Sequence, residues 1–314
     1  MTHGVFSGVM TAIATPFTAQ QTLDLEAFKN LLKLQKKAGI HGVVVAGTTG
    51  ESPTLSTEER FQLVQVALQE QTTEFHIYVG TGTNDTKSTL EQSSFYANFS
   101  SANGARVDGI MIVAPYYNRP NQTGLFEHFK TVCKAVGSTP VCIYNVPGRT
   151  GCTLAPTTFF KLALECENIL AIKEAAGDVL VVSELAKLLN AQKFNRKIEI
   201  LSGDDTTYAP ALLCGATGVI SVSSHLIPGA MLQILKASQT NDFLTVQKLH
   251  LATLPLNSDL FCAPNPIGLK WALASLKVCQ NTLRLPLTPL EAKEITIVQA
   301  ALDSVKSAGI QLLQ

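Results

Sequence analysis

Along the chain, short runs of consecutive apolar residues alternate with longer segments whose apolar positions recur every three or four residues. The short runs cover 9–14, 42–46, 77–80, 109–114, 141–145, 169–173, 198–202 and 218–222. Most lack the polar alternation of a one-sided strand, so they read as parallel strands buried on both faces. Their mean separation of about 30 residues is the length of a βα unit. The gaps between them have helical period. Leu25, Phe28, Leu31 and Leu32 are spaced by three and four ahead of a Gly39 stop, and Ser56-Thr57-Glu58-Glu59 has the form of a capping box. Further helices are expected over 86–102, 123–136, 156–164, 179–189 and 208–214. After the last strand the pattern is helical over 229–237, 242–256, 267–276 and 290–308.

Eight strands joined by helices permit a closed barrel or an open doubly wound sheet. No G-x-G-x-x-G follows the first strand and no G-x-x-x-x-G-K-[ST] occurs, so the usual nucleotide-binding signatures are missing. The count of eight favours an α/β chain folded as a (β/α)₈ TIM barrel over 1–227, followed by a C-terminal helical extension over 228–314.

Composition narrows the picture. At 46 % apolar and 15 % charged residues, the 314-residue chain is globular with a large interior. Its 24 basic and 24 acidic residues cancel, which leaves no electrostatic footprint for nucleic acid. No apolar run approaches the roughly 20 residues needed to span a bilayer, and the start Met1-Thr2-His3-Gly4-Val5-Phe6 lacks the basic and apolar regions of a signal peptide. No membrane association and a cytoplasmic location are expected. The seven cysteines, at 133, 142, 152, 166, 214, 262 and 279, are scattered without a C-x-x-C, as reduced thiols are. The six histidines are equally dispersed, so neither a metal nor any other cofactor is expected.

In a (β/α)₈ barrel, functional residues gather at the C-terminal ends of the strands. Strand 2 ends in Gly47-Thr48-Thr49-Gly50-Glu51-Ser52, either an ordinary turn or a place where amides and hydroxyls reach a small anion. Strand 4 ends in Ala114-Pro115-Tyr116-Tyr117-Asn118, whose phenols either pack at an interface or relay protons. Strand 5 leads into Tyr144-Asn145-Val146-Pro147-Gly148-Arg149-Thr150-Gly151, where the arginine suits a carboxylate or a surface ion pair. Strand 6 closes in Ile172-Lys173-Glu174-Ala175. That lysine either snorkels outward or offers a desolvated, nucleophilic amine. Strand 7 gives Ser202-Gly203-Asp204-Asp205, and strand 8 gives Val219-Ile220-Ser221-Val222. Together, one lysine, tyrosines, threonines and an arginine at the mouth suit Schiff-base chemistry on a small carboxylated ketone, as in a lyase or aldolase.

These motifs, with Pro264-Asn265-Pro266-Ile267 beyond them, occur in the same order as in the dihydrodipicolinate (4-hydroxy-tetrahydrodipicolinate) synthase family, which the chain resembles from about Gly8 to the C-terminal helices. The resemblance implies a Schiff base between Lys173 and pyruvate, with the pyruvate carboxylate held by Thr48 and Thr49. It implies that Tyr144 shuttles protons through Thr49 to Tyr117, which completes the site of a neighbouring subunit. Arg149 would receive the carboxylate of L-aspartate 4-semialdehyde, and Gly203 and Ile220 would line the pyruvate pocket. The implied assembly is a homotetramer, a dimer of dimers, at the entry to diaminopimelate and lysine synthesis. N-acetylneuraminate lyases and sugar-acid (2-keto-3-deoxy) aldolases share the lysine and tyrosine and remain the alternative. Thr49 and Arg149, present together, favour the synthase.

Some positions depart from the family pattern. Lysine-inhibited members keep the residues found here as Ser52, Asn84 and Tyr116, but carry Glu at Ser88 and His at Thr57 and Arg60. The missing Glu implies weak or absent feedback by L-lysine. Ala263 stands where Glu is common and Gly268 where Pro is common, and Cys142 and Cys152 flank the strand-5 loop without an assigned role.

Overall fold

The computed structural model describes residues 5–313. Met1–Gly4, part of the targeting argument, and Gln314, the end of the expected extension, lie outside the described residues. The order of elements is β1 (Gly8–Ala12), α1 (Leu25–Lys37), β2 (Gly42–Val45), α2 (Thr57–Gln69), β3 (His76–Gly80), α3 (Thr86–Asn98), β4 (Gly109–Val113) and α4 (Gln122–Ala135). It continues with β5 (Val141–Asn145), α5 (Pro147–Thr150), α6 (Pro156–Glu165), β6 (Ile169–Glu174), α7 (Val179–Asn190), β7 (Glu199–Ser202), α8 (Tyr208–Leu213) and β8 (Gly218–Ser221). Four helices follow: α9 (Pro228–Gln239), α10 (Phe243–Asp259), α11 (Ile267–Ser275) and α12 (Ala292–Ser307). The strands run in sequence order as a closed parallel barrel, with helices after the last strand, so the (β/α)₈ architecture holds. Every residue of β1, β2, β5, β7 and β8 is buried, which is why their sequences carry no polar alternation.

The helices begin where the sequence supplies a cap. Asp24 accepts from Ala27 N at the start of α1, and Ser56 and Glu59 form the expected box at α2. Two local expectations are corrected. Helix α3 ends at Asn98 instead of 102, because Phe99 turns extended and Ser101 and Ala105 close a separate turn. Helix α10 runs on to Asp259, through Pro255. Gly268 has a packing reason: a Cβ there would lie 2.4 Å from Leu260 O, so α11 meets the end of α10 backbone to side-chain-free backbone.

The chain divides into two compact units. One comprises the residues up to Gly8 and His76–Ile220, hence β3 to β8 with α3 to α8. The other comprises Val9–Phe75 with the segment from Ser221 onward, hence β1, α1, β2 and α2 with the C-terminal helices. Among the described residues, no helix is long and apolar enough to cross a membrane.

Within the second unit, a polar chain is sealed in the interior. Thr11 Oγ1 donates to Gln35 Oε1 at 2.7 Å and lies 2.8 Å from Ser224 Oγ. The adjacent His225 is fully buried. Its Nδ1 faces Val222 O at 2.7 Å, and its Nε2 accepts the Ala14 N–H at 3.0 Å. These partners demand a neutral ring, since a proton on Nε2 would face another donor. Burial accordingly pushes the His225 pKa down to about 4, and burial does the same to His128 in the first unit. Above the unfolded value of about 6.5 neither state binds the proton; between there and about 4 only the unfolded chain does. Stability should therefore fall on acidification through that window, by about 3 kcal/mol per histidine at the full depth. Urea unfolding midpoints measured from neutral to acidic pH check this, and His225→Asn should flatten the decline while lowering stability at neutral pH.

Candidate active site

In the first unit, β5 and β6 pair with Tyr144 opposite Lys173 and Asn145 opposite Glu174. Because side chains alternate along a strand, this pairing separates two jobs onto two faces. On one face, Lys173 is 4 % exposed and its Nζ stands 4.3 Å from the centre of the Tyr144 ring. The next strand leaves room for it. A Cβ at Gly203 would lie 2.9 Å from Lys173 Cε and 2.5 Å from Ala175 Cβ, so only glycine admits the lysine in this position. Below it, burial pushes the Cys142 thiol up to about 12, against the pull of Lys173, so the thiol is neutral. Cys142 is a packing residue. Ile220, at the end of β8, is fully buried.

On the opposite face the same pair of strands is locked. Asn145 Nδ2 donates to Glu174 Oε2 at 2.8 Å, and Asn145 Oδ1 accepts from Leu154 N at 2.9 Å. Glu174 Oε1 accepts from Ala176 N at 2.8 Å, and burial raises the pKa of this carboxyl. The loop after β5 is thereby fastened at both ends. Within the loop expected after β5, Pro147 at the first turn and Gly151 at φ 70 bound the short helix α5. Arg149 projects from α5 and is exposed.

The loop after β4 leans on that helix. Cys152 Sγ donates to Pro115 O at 3.2 Å, Tyr117 N donates to Thr150 O at 3.3 Å, and Arg119 Nε donates to Gly151 O at 2.8 Å. Cys152 thus gains a role, as a tie between two loops. Tyr117 itself has φ 72 and is 88 % exposed, and Tyr116 is also exposed. Asn84 is joined to this region by its carbonyl, which accepts from Asn118 Nδ2 at 2.8 Å. Ser88, the position of the missing Glu, donates to Asp85 Oδ2 at 2.7 Å and so belongs to the cap of α3.

In the second unit, β2 ends in a compact loop. Gly50 N donates to Gly47 O and Glu51 N to Thr48 O, while Thr15 Oγ1 donates to Gly50 O at 2.8 Å. A Cβ at Gly50 would sit 3.2 Å from both Ile13 O and Thr15 Oγ1. Thr48 is half-buried. Thr49 is 1 % exposed, and its Oγ1 accepts from Asn265 Nδ2 at 3.0 Å. Glu51, with φ 54, turns inward to a buried ion pair with Lys270 and accepts the Arg284 N–H at 3.1 Å. Lys270 also donates to Thr282 O at 2.8 Å and stands 4.1 Å above the Phe17 ring. Burial lowers the Lys270 pKa, and Glu51 opposes that shift. The Arg284 guanidinium covers the same Phe17 ring at 4.3 Å and bonds Glu59 and the carbonyls of Gln21 and Thr54. Ser52 O accepts from Arg60 Nη2 at 3.3 Å. Motif residues named without a role, Asn145, Glu174, Glu51 and Asn265, turn out to be the supports of the residues named with one. Among the described residues, no three His, Cys, Asp or Glu side chains gather as a metal site.

Three comparisons place this geometry. The model of the dihydrodipicolinate synthetase family matches residues 5–305. A protein of Fervidobacterium nodosum named 4-hydroxy-tetrahydrodipicolinate synthase is 40 % identical over 301 residues, covering 96 % of this chain and 99 % of that one. The solved dihydrodipicolinate synthase of Thermotoga maritima superposes with a TM-score of 0.90 at 34 % identity, covering 98 % of this chain and 99 % of its own. The 4-hydroxy-tetrahydrodipicolinate synthase structure from Methylacidiphilum fumariolicum gives 0.88 at 37 % identity, covering 96 % of this chain and 97 % of its own. With the family model matching residues 5–305 and a 40 % identical relative covered to 99 % of its length, the chain belongs to the dihydrodipicolinate synthetase family.

Proposed function

We propose that the chain is a 4-hydroxy-tetrahydrodipicolinate synthase, condensing pyruvate with L-aspartate 4-semialdehyde through a Schiff base on Lys173. The observation that carries this reading is the Lys173 amine, buried on β6 against the Tyr144 ring in space that Gly203 leaves empty. The relatives bearing the synthase name support the substrate pair. Thr49 and Arg149, present together, favour it over a sugar-acid aldolase or N-acetylneuraminate lyase.

The steps follow from the residue types. The Lys173 nitrogen adds through its lone pair to the pyruvate carbonyl carbon, and loss of water leaves an imine. The imine makes the methyl group acidic, and loss of one proton gives the enamine. The enamine carbon attacks the aldehyde, whose oxygen takes up a proton. The amine of the second substrate then displaces Lys173 from the imine carbon, closing the ring and freeing the enzyme. Tyr144 moves the protons, with Thr49 and Tyr117 as its path to solvent. Thr48 and Thr49 hold the pyruvate carboxylate, Arg149 takes that of the semialdehyde, and Gly203 and Ile220 line the pocket. The exposure of Tyr117 supports its completing the site of a second copy, in a homotetramer. Seven free cysteines support a reducing, cytoplasmic setting.

Lys173→Ala should reduce turnover to background and abolish borohydride trapping of pyruvate, read by mass spectrometry. Arg149→Ala should raise KM for the semialdehyde about 10- to 100-fold, the cost of a lost charged hydrogen bond, and leave KM for pyruvate nearly unchanged. Equal, mild effects of the two substitutions would count against the assignment. Ser52, Asn84 and Tyr116 are the positions of an effector site, but Ser88 is committed to Asp85 and offers no anion to a ligand ammonium. L-lysine should therefore inhibit initial rates weakly or not at all, and inhibition at low lysine concentration would refute this.

A further inference from the structure

The segment that follows β5 is closed into a loop by one side chain at its root. Asn145, the last residue of β5, takes the Leu154 N–H on Oδ1 at 2.9 Å. This bond across nine positions is the neck of the loop, and α5 with Arg149 lies beyond it. Which way the amide faces is decided one strand over. Glu174, opposite Asn145, accepts from Asn145 Nδ2 on one oxygen at 2.8 Å and from Ala176 N on the other, also at 2.8 Å. Asn145 is 0 %, Leu154 1 % and Glu174 4 % exposed, so water does not replace these bonds. Gln122 meets the same stretch through Thr153 O and Ala155 N, but it is exposed, and water can stand in for it.

The donors and acceptors of the neck match with none to spare. A carboxylate only accepts, whereas a carboxamide has one accepting and one donating end. An amide at 145 with a carboxylate at 174 meets every donor. Amides at both positions, however they are flipped, leave one N–H facing another. A carboxylate at 145 with an amide at 174 meets every donor again. We propose that Glu174 is a positioning residue for the second substrate: it orients Asn145, which closes the neck of the α5 loop and so sets where Arg149 stands. This rests on the reading above, in which Arg149 receives the semialdehyde carboxylate.

Steady-state kinetics for each substrate, with borohydride trapping of pyruvate alongside, test it. Glu174→Gln should raise KM for the semialdehyde about tenfold, leaving KM for pyruvate and the trapping near wild type. In an Arg149→Ala background it should add nothing to that KM. Adding Asn145→Asp to Glu174→Gln should return the KM to within about threefold of wild type, because each N–H regains an acceptor. If Glu174→Gln does not fold, Asn145→Ala opens the same neck without setting donor against donor, and should show the same KM change and the same dependence on Arg149. The proposal is overturned if the folded variant leaves the semialdehyde KM unchanged, if the pyruvate KM rises equally, or if the cost persists without Arg149. It is equally overturned if the double variant folds and stays impaired. Arg149→Ala alone separates the two failures. A semialdehyde KM unmoved by that substitution sinks the Arg149 reading and this proposal with it; a KM that responds to Arg149→Ala but not to the neck variants overturns this proposal alone.

Discussion

The pairing of β5 with β6 sets Tyr144 against Lys173 on one face and Asn145 against Glu174 on the other. The amine–phenol pair and its fastening are thus written in adjacent residues of the same two strands. A slip of one residue would exchange the faces and bury a carboxylate where the amine belongs. The register is held by the Asn145–Glu174 bond, whose members also take up the N–H groups of Leu154 and Ala176. With both amide and carboxylate satisfied, a buried acid serves as a clasp at tolerable cost. The α5 loop, with Arg149 on it, starts from that clasp.

The second unit repeats the division of labour with a different device. Its reactive-loop candidates, Thr48 and Thr49, hang from a loop in which Glu51, two residues on from Thr49, is anchored by a lysine and by an arginine backbone N–H far along the chain. A buried ion pair is no guarantee of net stability, because desolvation offsets much of the attraction. Removing one partner is another matter, since the remaining charge has no water to turn to. The value of Lys270 and Arg284 therefore lies in what they specify, the inward turn of Glu51 at a positive φ, with both cationic heads close to the Phe17 ring. The C-terminal helices are in this sense part of the loop they support.

The strands were legible because burial on both faces leaves a continuous apolar run, a signal that needs no knowledge of the partner strand. Lys173 and Tyr144 stood out because each is a polar group at the end of such a run, and Thr49 and Arg149 because they sit in the loops that follow one. The supports were not legible in the same way. Asn145, Glu174 and Asn265 lie in the motifs, yet the Asn145–Leu154, Asn145–Glu174 and Asn265–Thr49 bonds span 9, 29 and 216 positions, and no local pattern encodes those distances. The short helix α5 was hidden because four residues cannot show a helical period, although Pro147 and Gly151 are its ordinary boundaries. The end of α3 was overrun for the opposite reason. Its composition stays helix-compatible beyond Asn98, and the turn at Ser101–Ala105 decides the matter through its own bonds.

Gly203 contributes no functional group, yet it determines where the amine can be. The volume occupied by Lys173 exists because β7 is followed by a residue without a side chain, and the backbone there is held by the Gly203 N–H on Glu174 O at 2.7 Å. A methyl group added at this point would compete with the lysine for the same space. Any effort to diversify the residues around Lys173 must therefore treat position 203 as closed. The neighbour that looks most tolerant, because it is smallest, is the one at which a side chain has no room.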